Sequence, residues 1–145
     1  MDRPEATLLD LLQTEYAVTD SGIANTDIMW SLMDWSDKSK GAHAPYIVVK
    51  QAGATRDQPV ELMFQFTFII QVIWWPEHVD DLEARKADVW KVIEGLKAVI
   101  EDSANLPANW HNMRVDRLAN VTVLNALPNV IIENVVVAAK IYWSA

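Results

Sequence analysis

The segment VELMFQFTFIIQVIWW, Val60 to Trp75, decides how the rest of the chain can fold. On alternate positions Val60, Leu62, Phe64, Phe66, Phe68, Ile70, Val72 and Trp74 are apolar. Strict alternation is the signature of a β-strand with one face in a core. The other register is mixed. Glu61, Gln65, Thr67 and Gln71 are polar, whereas Met63, Ile69, Ile73 and Trp75 are not. At ~3.3 Å per residue the whole segment would span on the order of 50 Å, well past the usual ~17–20 Å. Excess length and a half-apolar second face both point to a partner. Phe64, Phe66 and Phe68 are expected to anchor the fold, and Met63, Ile69, Ile73 and Trp75 to meet a neighbouring subunit or a second layer formed by the amino-terminal helix.

The elements on either side follow from local signals. Asp2, Pro4 and Glu5 resemble a helix start with a capping box, and Leu8, Leu9, Leu12 and Tyr16 form one apolar stripe. A helix over residues 4–17 is predicted, ended by the polar run before Gly22. Residues 27–35 (DIMWSLMDW) fit a strand or a helix equally. Ser36 to Ala44 reads as loop, and Pro45-Tyr46-Ile47-Val48-Val49 opens a β-branched strand. Gln51 to Pro59 is expected to be a long connection into the central strand.

Pro76 stops that strand. Glu77, Asp80, Asp81 and Glu83 then crowd the start of a predicted helix over residues 77–102. Leu82, Val89, Ile93, Leu96 and Ile100 line one of its faces, and Trp90 is expected to pack with Trp74. A partly alternating strand follows over Trp110–Leu118, with Val121–Pro128 either a loop or its continuation. The β-branched run Val130 to Trp143 suits a sheet interior beside the central strand. The expected class is α+β: an antiparallel-rich sheet of about four strands, one long helix on one face and an amino-terminal helix. At 145 residues a single domain over 1–145 is expected.

Composition narrows the chemistry. The chain has no Cys, so thiolate catalysis, disulfides and Cys-ligated zinc are excluded. The acidic amino terminus lacks a signal-peptide layout, and no membrane span is evident. Net charge is −8, and the first 37 residues hold eight carboxylates against a single Arg3. Phosphate neutralisation needs clustered Lys and Arg, so nucleic-acid binding is not expected. Asp20, Asp27, Asp34 and Asp37 belong to this acidic region, which is either a solvated face or one turned toward a partner.

Candidate catalytic groups are sparse. His78 with Glu77, Asp80 and Asp81 offers helical ligand spacing for only one carboxylate, and an acidic helix start explains the same residues. His111 near Asp116 lacks a nucleophile, and neither Ser103 nor Ser144 sits in an elbow motif. His43 with Asp37 has no ligand spacing. Gly22, Gly41, Gly53 and Gly95 are isolated, so no phosphate-cradling loop is present. No catalytic, cofactor-binding or metal residue is assigned, and enzymatic activity is not expected.

An amino-terminal helix, the Pro45-Tyr46-Ile47-Val48-Val49 strand, a hairpin into a strand ending Trp74-Trp75, a long helix and two closing strands together resemble the tail-terminator proteins of long-tailed bacteriophages. The likeness is one of architecture and covers most of the chain. It implies a virion protein of the tail or neck, made in the host cytoplasm. Such a protein forms a hexameric ring between the tail tube protein and the head–tail connector, with DNA passing through unbound. It also implies that long strands and the loop carrying Arg56 and Asp57 make subunit contacts, and that Asp20, Asp27, Asp34 and Asp37 face the lumen or a partner. The DIMWSLMDW stretch has no counterpart in that pattern. Another neck, head-closure or tail-tube protein, or a cellular α+β binding module, remains the alternative.

Overall fold

The computed structural model describes residues 3–16, 28–29, 46–56, 62–74, 82–124 and 130–142. Helix α1 (Pro4–Leu11) runs into a π-helical turn, Leu12–Tyr16. Strand β1 (Ile28–Met29) is followed by β2 (Tyr46–Arg56), β3 (Met63–Trp74), helix α2 (Leu82–Glu101) and a 3-10 turn at Ser103–Asn105. Strands β4 (Trp110–Leu124) and β5 (Val130–Tyr142) close the chain. The sheet order is β1-β2-β3-β5-β4. Every pairing is antiparallel except the two-residue parallel contact of β1 with β2. The expected α+β class is the observed one.

β3 is central because both its faces can be buried. Its alternate residues Phe66, Phe68, Ile70 and Val72 are fully buried, and Trp74 nearly so. They form one core with Ile47 and Val49 of β2, Val135, Val137, Ala139 and Ile141 of β5, and Trp110 and Met113 of β4. The aromatic rings run as a row. Phe66 stacks on Phe68 at a centroid distance of 6.1 Å, and Phe68 on Trp110 at 5.8 Å with the planes 4° apart. Phe64, partly buried at the end of the row, carries the Arg56 guanidinium 5.2 Å from its centroid. Cation and ring face attract at this distance.

Both helices cover this aromatic face. Leu8, Leu12 and Tyr16 from the amino-terminal segment join Val89, Ile93, Leu96 and Ile100 of α2 in the same core. The amino-terminal helix therefore adds to the helical layer and does not form a second layer on the opposite face, as was one expectation. The capping box also yields to a tertiary contact. Arg3 is the N-cap and gives no side-chain cap, while Glu5 pairs with Arg3 and accepts the backbone N–H of Gln51 at 3.3 Å. Glu5 thus ties α1 to β2.

Two boundaries differ from expectation because pairing overrides local turn signals. β2 continues through Gln51–Arg56 despite Gly53, held on its inner edge by β3 with a bulge between Gln51 and Gly53. An extra residue at a bulge lets a weak strand former stay in the ladder. β4 is one strand to Leu124, with register shifts at Trp110/Asn112, Val115/Arg117 and Ala119/Thr122. Each shift resets the facing, which is why its sequence alternates only in patches. Of the ambiguous stretch 27–35, Ile28 and Met29 form the strand β1. Its remaining residues, and the predicted helix start at 77–81, lie outside the described residues.

Candidate interaction face and groove

The strand register sets the face turned away from the helices. On β3 it presents Met63, Gln65, Thr67, Ile69, Gln71 and Ile73, because their neighbours in sequence fill the core. Across the sheet Lys50 stands beside Ile69, Ile69 beside Val136, and Val136 beside Arg117. One row along, Gly53, Thr67, Ala138 and Arg114 align.

This face is divided. Toward one end Val48 and Ile73 are fully buried and Ile132 is 5% exposed within the single chain. Ile73 is therefore an interior residue of this chain and is not presented to a neighbour as expected. Met63, Gln65, Thr67 and Ile69, toward the other end, are half-buried. They remain partly open. Between the two ends, Gln71 Nε2 donates to Asn134 Oδ1 at 3.4 Å, while Gln71 Oε1 is buried without a hydrogen-bond partner. Such an orphan acceptor carries a desolvation cost of about 1–3 kcal/mol.

The charges on the open end have one dominant sign. Lys50, Lys140, Arg114 and Arg117 are brought to it from three strands by the register. Asp116 offsets one of them, its Oδ1 lying 3.6 Å from Arg114 Nη2 with both side chains about half exposed. Arg56 lies on the aromatic side over Phe64, so it does not join this cluster. Asp57, Trp75 and the acids Asp20, Asp27, Asp34 and Asp37 lie outside the described residues, as do His43 and His78. His111 is exposed on β4, and Asp116 pairs with Arg114. Among the described residues no group of acids and histidines is placed to hold a metal ion.

A second feature lies on the helical side. A groove of about 250 Å³ runs between α2 and the ends of β3 and β5, lined by Trp74, Lys86, Trp90, Ile131 and Glu133. Trp74 is 3% exposed and its Nε1 donates to Glu133 Oε2 at 2.9 Å. Trp90 is 51% exposed, so it forms the groove's outer wall and does not clamp strand to helix as expected. The signal missed in the sequence is helix phase: Val89 takes the inward position and leaves its neighbour outside.

No described helix is long and apolar enough to cross a membrane. Neither a protein-family model nor a curated protein sequence matches this chain.

Proposed function

We propose that this chain is a structural subunit that assembles with copies of itself into a ring at the head-proximal end of a phage tail. There it caps the tail tube and joins it to the head connector, without catalysis and without a cofactor. The reading is supported by element order. An amino-terminal helix, a β2–β3 hairpin, a long helix and two closing strands are the sequence of elements that the tail-terminator resemblance implies. A sheet face left half-open around Met63 and Ile69 is consistent with subunit contacts. Asp20, Asp27, Asp34 and Asp37 are assigned to the lumen or to a partner; facing the lumen they would repel DNA and ease its passage.

The deciding measurement is mass in solution together with electron microscopy of the purified protein and of isolated tails. Rings of about six subunits, located at one tube end, would support the reading. A stable monomer at high concentration that ignores tail tubes would overturn it.

A second reading draws on the groove beside Trp90. An exposed Trp over an apolar slot is the kind of anchor that binding modules use. A monomer or dimer that captures a peptide through Trp90 would favour that alternative.

A further inference from the structure

The open sheet face and the amino-terminal helical segment differ in charge, while α2 beside that segment exposes both signs, Asp88 and Glu94 along with Lys86, Lys91 and Lys97. The open sheet face carries Lys50, Lys140, Arg114 and Arg117 around the half-buried Ile69 and Thr67, with Val136 buried beneath them and Asp116 as the counter-charge. This is a basic rim around a mixed surface of Met63, Gln65, Thr67 and Ile69, in a chain whose net charge is −8. The helical layer lies on the other side of the sheet. There Asp10 and Glu15 of the amino-terminal segment are exposed, while Glu5 is taken up by Arg3 and Gln51.

We infer that the open sheet face docks the acidic amino-terminal helix of a second copy of this chain, front to back. The inference rests on the self-assembly reading above and names the surfaces that meet. Complementary potentials favour this pairing over face-to-face contact, which would set Arg114 and Arg117 against their own copies. A front-to-back contact is heterologous, so it propagates from copy to copy and closes into a ring when the rotation permits. Ile69 and Met63 supply the apolar contact, and the charged rim supplies register.

Two charge-swapped full-length proteins test this. One carries Arg114→Glu with Arg117→Glu, and the other Asp10→Lys with Glu15→Lys. Each alone is expected to lose assembly at least tenfold in the concentration required. Mixed one to one they should assemble again, because each then offers the surface the other lacks. Recovery on mixing also demonstrates that both variants fold. Wild-type assembly should weaken as salt rises. If wild-type protein forms rings and either variant alone retains them, the assignment of surfaces is wrong and the ring stands. If both variants dissociate and the mixture stays dissociated, the assignment is likewise overturned. If wild-type protein is monomeric under all conditions, both the ring and this contact fall.

Discussion

The Tyr16 hydroxyl donates to the Val92 carbonyl at 3.1 Å across 76 positions of sequence. This bond fixes the π-helical turn against the middle of α2, with the phenol 1% exposed. Burial pushes the hydroxyl up to about 12. In the unfolded chain a tyrosine ionises near pH 10, so below that pH both states keep the proton and stability is unaffected. Between about 10 and 12 the unfolded chain loses its proton first, and stability falls as pH rises. Denaturation at about pH 9 and about pH 11 should show this loss, and Tyr16→Phe should reduce it. At neutral pH the same variant is expected to cost about 0.5–1.5 kcal/mol for the lost hydrogen bond.

Gly95 is the other half of that contact. A Cβ there would lie 2.8 Å from Tyr16 Cε2, and the ring is held in place by its hydroxyl. Alanine would gain up to about 1 kcal/mol of helix propensity. Overpacking costs about 1–3 kcal/mol. Gly95→Ala should therefore lower the urea midpoint, and a raised midpoint would mean that the ring moves aside freely.

Phe68 carries more of the core than Phe64. Fully buried and stacked on both Phe66 and Trp110, it should lose about 3–5 kcal/mol on replacement by alanine. Phe64→Ala should cost clearly less, since that ring is only partly buried. Chemical denaturation of the two variants side by side checks the ranking.

The divided second face separates Ile69 from Ile73. Ile73→Asp would bury an unpaired charge and should leave the protein unfolded by circular dichroism. Ile69 is only half-buried, so Ile69→Asp should retain the fold while reducing the assembled mass. Equal loss of fold in both would place Ile69 in the interior as well.

Around the groove, Trp74→Phe removes the bond to Glu133 and should cost about 1.5–3 kcal/mol, as hydrogen bonds to charged groups do. Trp90→Ala should cost less, because half of that side chain is already in solvent. Thermal melts distinguish the two.

Much of this architecture is legible in the order of residues. The alternation from Phe64 to Trp74 marks the core face of β3, and the apolar stripe of α2 marks its inward side. What escapes is non-local. Glu5 stands three residues after Asp2, a capping spacing, yet its carboxylate goes to Gln51. Gly53 and its neighbours read as a turn until β3 pairs with them. The bulges of β4 interrupt the period of two, so facing is not countable along it. The basic face has no sequence signature at all. Lys50, Arg114, Arg117 and Lys140 become neighbours only once the register of four strands is fixed.

The strand order has a kinetic consequence. β3 pairs along its whole length with β5, so Thr67 meets Ala138 only after the intervening helix and β4 have been made. The centre of the sheet cannot zip up on the ribosome until β5 emerges. Such distant pairing closes large loops and slows folding relative to helical bundles of similar length. Until then β3, with three phenylalanines in five residues, has only the β2 hairpin to shelter it. β3 therefore depends on β5 for cover during synthesis, and removing β5 should increase aggregation.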